Sequence, residues 1–109
     1  MTYHPDGKEV HPSMQVTVRG YLTLRPIIGE RVTVAITASG MSLGELIEYL
    51  SDQFGDELDR WIFVPGTREI NRYCAILING SHYTHLPDRM ETQLQDGDEV
   101  ALFPPIAGG

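Results

Sequence analysis

Apolar and polar residues alternate in two stretches in the first third of the chain. Between Met14 and Leu24, one face carries the apolar side chains of Val16, Val18, Leu22 and Leu24. The same period of two returns after Pro26 and Gly29, at Val32, Val34 and Ile36. This period is typical of half-buried strands, and proline and glycine interrupt such runs. The pattern therefore predicts two strands that form a hairpin with a fairly long loop.

A change of period after Ser39-Gly40 predicts one main helix that ends near Phe54. Ser42 followed by Glu45 is a capping box, in which each side chain accepts a hydrogen bond from the other residue's backbone N–H at a helix start. The helical spacing places one apolar stripe at Leu43, Leu46, Ile47, Leu50 and Phe54. The same spacing turns Glu45, Glu48 and Asp52 toward water, and Gly55 is placed to close the helix.

The second half of the chain is expected to supply the remaining strands. Residues 56–72 are predicted to form an irregular connection anchored by Trp61. A central strand is predicted from Tyr73 to Ile78, followed by an Asn79-Gly80 turn and a short return strand from Ser81 to His85. Asp96-Gly97 marks a further turn, and the last buried strand runs from Val100 to Phe103.

This order of elements predicts an α+β protein of the β-grasp type, with a mixed sheet of about five strands and one main helix packed on one face. Residues 1–13 are polar, carry two prolines and are expected to be a flexible N-terminal leader. The domain itself is expected to occupy residues 14–103, with an extended tail at residues 104–109.

Composition narrows the classes of function. The formal net charge of −7 repels phosphate backbones, so a nucleic-acid partner is not expected; a protein partner with a basic surface is favoured. We find no apolar run of membrane-spanning length and no secretory signal, which predicts a cytoplasmic protein without a membrane partner. Glycine-rich phosphate loops and a nucleophile elbow are also missing from the sequence. An independent enzyme is therefore not expected, and no bound cofactor is predicted.

Cysteine and histidine offer few metal ligands. Cys74 is the single cysteine and lies in an apolar strand, where it is expected to be a core residue. His82 and His85 are expected at the surface, and His4 and His11 fall in the leader. Since no thiolate or carboxylate joins them at ligand spacing, a metal site is not predicted.

The candidate site is the tail. Pro104 and Pro105 stiffen the chain directly after the last strand, so the terminus should project from the body. Gly108 and Gly109 have no side chains and could thread a narrow channel in a partner enzyme. The working group would be the carboxylate of Gly109, which needs activation, for example as an acyl-adenylate, before sulfide, thiol or amine can attack it.

Residues 14–109, and above all residues 96–109 with the sequence DGDEVALFPPIAGG, resemble the MoaD/ThiS family of ubiquitin-like sulfur carriers. The segment is most similar to the small subunit of molybdopterin synthase. The resemblance implies that an activating enzyme adenylates Gly109 with ATP and that the product becomes a thiocarboxylate. It further implies delivery of sulfur within a synthase large subunit, with Ala107 and Gly108 threading the channel and Phe103, Pro104, Pro105 and Ile106 docking on the partners.

Alternatives remain open at this point. The carrier could serve tungstopterin, thiamine or another sulfur pathway. The same activated terminus could instead modify proteins by forming isopeptide bonds with lysine, or the tail could be a docking strand of a plain interaction domain.

Overall fold

The computed structural model describes residues 14–36 and 40–105. Five strands form one sheet in the order β2-β1-β5-β3-β4. They are β1 Met14–Gly20, β2 Val32–Ile36, β3 Ala75–Ile78, β4 Ser81–His82 and β5 Glu99–Phe103. Neighbours in the sheet are antiparallel except β1 and β5, which are parallel. The predicted hairpin and the mixed sheet are confirmed, whereas the predicted leader and the positions 37–39 and 106–109 lie outside the described residues.

The helices are α1 Arg25–Ile28, α2 Leu43–Phe54 and α3 Asp56–Ile62. The capping box of α2 is present as predicted: the Glu45 backbone N–H donates to Ser42 Oγ at 3.1 Å, and the Ser42 N–H donates to Glu45 Oε1 at 2.8 Å. Gly55 ends the helix with a φ of 66°. These local hydrogen bonds fix where the main helix begins and ends.

The core lies between the helices and one face of the sheet. The sheet contributes alternate residues of its four longer strands, namely Val16, Val18, Val34, Ile36, Ile76, Ile78, Val100 and Leu102. The helices cover them with Leu43, Leu46, Ile47, Leu50, Leu58 and Ile62. The other face of β5 and its neighbours carries half-buried side chains, among them Arg19, Ala75, Ala101 and Phe103.

The first strand is shorter than predicted. It ends at Gly20, and Leu22–Leu24 forms a 3-10 turn that leads into α1. Leu24 is buried as expected, but Leu22 is 62% exposed and has a φ of 55°. The strand ends at Gly20 because the backbone turns back and passes close to this residue: a Cβ on Gly20 would lie 2.7 Å from the Leu24 carbonyl oxygen. Only glycine allows the chain to turn back so tightly at this point.

The prediction of an irregular connection at residues 56–72 was wrong in its first half, which is α3. Asp56, Glu57 and Asp59 place negative charge in the first turn, where the helix dipole favours it. Leu58 and Ile62 are buried, whereas the expected anchor Trp61 is only half-buried. Apolar residues four apart on one helical face therefore hold this segment to the core.

The loop after α3 is organised by Arg68. Its guanidinium lies 4.0 Å from the centre of the Phe63 ring, and it pairs with the carboxylates of Glu48 and Asp59. Ser51 donates to Asp59 Oδ1 at 2.6 Å and joins the same network. The hydrogen bond that Arg68 donates to Glu48, together with the negative charges of Glu48 and Asp59, raises the pKa of Arg68, although burial acts in the opposite sense.

The return strand is also shorter than predicted. Only Ser81–His82 pairs with β3, and Tyr83–His85 is a 3-10 turn in which His82 Nδ1 accepts the Thr84 N–H at 3.2 Å. The strand predicted at Tyr73–Ile78 begins at Ala75 and lies inside the sheet, but the middle position belongs to β5.

Candidate functional site at the tail exit

Pro104 and Pro105, the described part of the C-terminal tail, follow directly from the middle strand of the sheet. Leu102 lies opposite Gly20, the last residue of β1, and Phe103 lies opposite Ala75, the first residue of β3. Strand β5 is therefore paired on both sides up to its last residues. Because both neighbouring strands end at this level, the following chain leaves the sheet edge at a defined place.

Phe103 is held by an aromatic stack. Its ring centre lies 4.3 Å from that of Tyr21, and the two ring planes differ by 7°. The Tyr21 backbone N–H also donates to the Leu102 carbonyl at 3.0 Å, which extends the β1–β5 pairing by one bond. Stacked aromatic pairs contribute about 0.5–1.5 kcal/mol beyond the area they bury. The side chain and backbone of Tyr21 thus both fix the end of β5.

Cys74 holds the same point from the other side. Its side chain is 1% exposed, and its thiol donates to the Phe103 carbonyl oxygen with an Sγ–O distance of 3.1 Å. Burial raises the pKa of the Cys74 thiol to about 12, because the charged thiolate is poorly solvated there. The thiol is therefore protonated at neutral pH and acts as a structural donor, in line with its predicted place in the core.

Apolar side chains and arginines border the exit. Leu22 and Tyr73 are each 62% exposed, and Arg72 lies 5.1 Å from the centre of the Tyr73 ring. Arg19 Nε lies 2.7 Å from Glu99 Oε2, and a hydrogen bond with Tyr21 together with that carboxylate raises the pKa of Arg19. We use the term tail exit for Tyr21, Leu22, Tyr73, Cys74 and residues 103–105.

The predicted docking residues separate into two groups. Phe103, Pro104 and Pro105 lie together at the tail exit, where Pro104 is buried and Pro105 is half-buried. Ile106, Ala107, Gly108 and Gly109 lie outside the described residues, so the predicted roles of these four positions stay predictions.

The contribution of Tyr21, Leu22 and Tyr73 to the exit was not expected from the sequence. Their proximity to the tail depends on pairing between β1, β3 and β5, which are far apart in the chain. Each of these residues lies within two positions of an observed strand end, but the sequence pattern places the end of the first strand at Leu24 and so gives no signal for Tyr21.

A surface depression of about 640 Å³ lies away from the exit and is lined by residues of α2 together with Phe63, Arg68, Ile70 and Met90. Within residues 14–36 and 40–105, we find no group of three or more His, Cys, Asp or Glu side chains that could hold a metal ion.

None of the helices in the described residues is both long and apolar enough to span a membrane.

The fold and the strand that presents the tail define a ubiquitin-like β-grasp protein. The ThiS family model matches residues 9–109 of the chain. The chain therefore belongs to the ThiS family, a family of small ubiquitin-like sulfur carriers and modifiers that are not catalysts themselves.

The similar proteins include some named as modifiers and some named as sulfur carriers. Small archaeal modifier protein 3 from Haloferax volcanii is 31% identical over 96 residues, which cover 88% of this chain and 100% of that protein. The sulfur carrier protein CysO from Mycobacterium tuberculosis is 30% identical over 96 residues, with the same coverage of 88% and 100%. The solution structure of small archaeal modifier protein 1 from Methanosarcina acetivorans matches with a TM-score of 0.72 and 27% identity, covering 88% of this chain and 97% of that one.

Proposed function

We propose that this protein carries sulfur as a thiocarboxylate on Gly109. The observation that carries the proposal is the tail exit, where the central strand β5 is fixed by Tyr21 and Cys74 immediately before Pro104-Pro105 and the glycine end. The end of β5 is fixed in position, and the tail beyond it ends in residues without side chains. This combination suits a group that must enter the active site of another protein.

The proposed chemistry is acyl activation followed by sulfur transfer. The Gly109 carboxylate attacks the α-phosphorus of ATP, which gives an acyl-adenylate and releases pyrophosphate. Hydrosulfide then attacks the acyl carbon, the carbon–oxygen bond to AMP breaks, and loss of the S–H proton to solvent leaves a C-terminal thiocarboxylate. ATP and the acid–base groups belong to a separate adenylating enzyme in this scheme, and this chain supplies the acyl group.

The geometry sets how far the group can reach. Six residues follow Phe103, and an extended chain of that length spans at most about 20 Å. The proposed partners would hold Phe103, Pro104, Pro105 and Ile106 near the entrance of their channel and pass Ala107 and Gly108 along it. The exposed Leu22 and Tyr73 give such a partner apolar area beside the tail itself.

The first experiment measures the intact mass of the protein from its native host, and again after incubation with an adenylating enzyme, ATP and a sulfur source. Replacement of one oxygen by sulfur, located on Gly109 by fragmentation, is the expected result. A variant without Gly109 should fold with the same circular dichroism spectrum but gain no sulfur. An unchanged wild-type mass, with an enzyme that demonstrably forms acyl-adenylate on another carrier, would refute the proposal.

For the pathway, we propose molybdopterin or tungstopterin synthesis, supported by the similarity of residues 96–109 to the small subunit of molybdopterin synthase. The acceptor would then be a synthase large subunit that binds the tail. Mixing the thiocarboxylated protein with such a subunit and its pterin precursor should return the mass of Gly109 to that of the carboxylate. Retained sulfur in that mixture, with loss of sulfur to a thiamine-type or other acceptor, would reassign the pathway.

The second candidate function is protein modification, which the similarity to small archaeal modifier protein 3 favours. In that case a lysine amine of a target would attack the activated Gly109. Because Arg89 is the last basic residue before the tail, tryptic digests of host extracts should then contain lysine side chains that carry residues 90–109 of this chain as a branched peptide. Their absence under oxidative and nutrient stress, from cells that contain the thiocarboxylate, would leave sulfur transfer as the function.

A further inference from the structure

The basic residues of this chain are divided unequally between lysine and arginine. The sequence holds one lysine, Lys8, and seven arginines. Lysine is normally among the commonest residues of soluble domains. All seven arginines lie within the described part of the chain, and Lys8 precedes it. From residue 14 to the end, the chain thus has no side-chain amine.

This division matters for a protein with an activated acyl group. A lysine amine has a pKa near 10.4, so a small deprotonated fraction can attack an acyl-adenylate or thioester at neutral pH. The arginine guanidinium keeps its proton under all ordinary conditions and offers no free electron pair. Arginine therefore supplies positive charge at the tail exit, for example at Arg19 and Arg72, without supplying a nucleophile.

The thiol of Cys74, near the tail, is also unavailable as a nucleophile. Cys74 is two residues from Arg72 and contacts the Phe103 carbonyl, but its side chain is buried and its proton is donated to that oxygen. With the pKa of Cys74 raised to about 12, hardly any thiolate exists at neutral pH. Hydroxyl groups react slowly unless a base activates them. The Thr84 hydroxyl lies 2.9 Å from His82 Nδ1, a nitrogen that can accept its proton, so Thr84 is the hydroxyl to check for acylation.

We propose that residues 14–105, here called the body, contain no group that the activated Gly109 can convert into a stable amide, ester or thioester, and that Lys8 is the single side-chain acceptor through which one copy can be linked to another. The proposal rests on the activation of Gly109 proposed above. In the linking step, Nζ of Lys8 attacks the acyl carbon of Gly109. An isopeptide bond forms, the bond to the thiolate or AMP leaving group breaks, and the amine loses a proton to solvent.

The test uses a chemical thioester, so that it is independent of any activating enzyme. The full chain is prepared with Gly109 as a mercaptoethanesulfonate thioester and incubated at neutral pH, and the products are mapped by mass spectrometry after digestion. For the wild type we expect hydrolysis together with amide products at Lys8. For K8R we expect hydrolysis, with any remaining amide confined to the chain's α-amino group.

Two further variants place an amine on the body. K8R/R72K puts it at the tail exit, and the four residues from Ile106 to Gly109 can span at most about 13 Å. K8R/R89K is the matched control, because Arg89 precedes the Met90 backbone that lies against the start of α2, at the opposite end of the sheet. A tethered amine experiences an effective concentration near the millimolar range, so K8R/R72K should form an intramolecular amide about tenfold or more faster than K8R/R89K at micromolar protein.

Three results would overturn the inference. One is a wild-type thioester that hydrolyses without forming an amide at Lys8, and another is a K8R product stably acylated within the body, whether on Cys74, Thr84 or another side chain. The third is a K8R/R72K thioester that hydrolyses without forming an amide, because the body would then escape acylation even with an amine present, and not for lack of an acceptor. Failure of the host protein to acquire sulfur or adducts on Gly109 would refute the proposed function, but it would leave the outcome of this chemical test unchanged.

Discussion

Replacing Gly20 with alanine tests the close crossing that shapes the tail exit. The added Cβ would lie 2.7 Å from the Leu24 carbonyl oxygen and 3.2 Å from Ile28 Cβ. The nearest atom belongs to the backbone, so the 3-10 turn and α1 must move to relieve the contact. Overpacking of this kind costs about 1–3 kcal/mol, and the lower entropy of alanine in the unfolded chain offsets about 0.4–1 kcal/mol. We expect a net loss of about 1–2 kcal/mol, or a fall in Tm of about 5–15 °C.

Thermal and urea denaturation measure this loss, and near-ultraviolet circular dichroism reports on the ring stack of Tyr21 with Phe103. Gly97→Ala is the control: Gly97 has a φ of 88°, and no heavy atom lies within 4 Å of its added Cβ. That variant should lose about 1 kcal/mol through backbone conformation alone and keep the wild-type aromatic spectrum. The argument would be refuted if G20A were as stable as the wild type and its aromatic spectrum were unchanged.

Three further predictions concern single side chains. Ser42→Ala removes one half of the capping box and should cost about 1 kcal/mol in urea denaturation, with the midpoint lowered and the slope retained; an unchanged midpoint would contradict it. Tyr21→Ala should cost about 2 kcal/mol and free the Phe103 ring, whereas Tyr21→Phe, which keeps the stack, should remain near the wild type. The raised pKa of Cys74 means that its stabilising contribution is complete below the unfolded pKa, near 8.5. The contribution then falls as pH rises toward about 12, by up to about 1.4 kcal/mol per pH unit. Cys74→Ala should flatten this alkaline decline, and an equal decline in both proteins would show that Cys74 does not cause it.

The strands and α2 could be predicted because their burial is written as a simple period along the chain. Val16 and Val18 mark the buried face of β1, Val34 marks that of β2, and Ser42 with Glu45 marks a helix start through bonds between near neighbours. Such signals depend only on local sequence. They give the element and the face that it buries.

The errors arose where a local signal was ambiguous or absent. Leu58 and Ile62 have helical spacing, but the neighbouring Pro65-Gly66 suggested a loop across the whole segment. Nothing beside Gly20 indicates that the chain crosses the Leu24 carbonyl there, because that contact depends on the 3-10 turn that begins two residues later.

The candidate site also has a part that could be predicted from the sequence and a part that could not. The tail could be recognised from its prolines and glycines, since their effect on the backbone is local. The stack of Tyr21 on Phe103 joins the residue after the first strand to the end of the last strand, and the thiol of Cys74, the residue before β3, contacts the Phe103 carbonyl. Contacts over such separations follow from the parallel pairing of β1 and β5, which no local pattern encodes.

The middle position of β5 also has a consequence for how the protein is made. Residues 99–103 fill the space between two strands that leave the ribosome earlier, so the sheet cannot close until this segment has emerged. Pairings between distant parts of a chain are slow to form, and until they form, the edges of β1 and β3 are open to wrong partners. The pairing of β5 with β1 and β3 completes the sheet and also brings together the residues of the tail exit. Chains that stall or misfold would therefore lack the tail exit, so display of the tail would be limited to molecules that have completed folding.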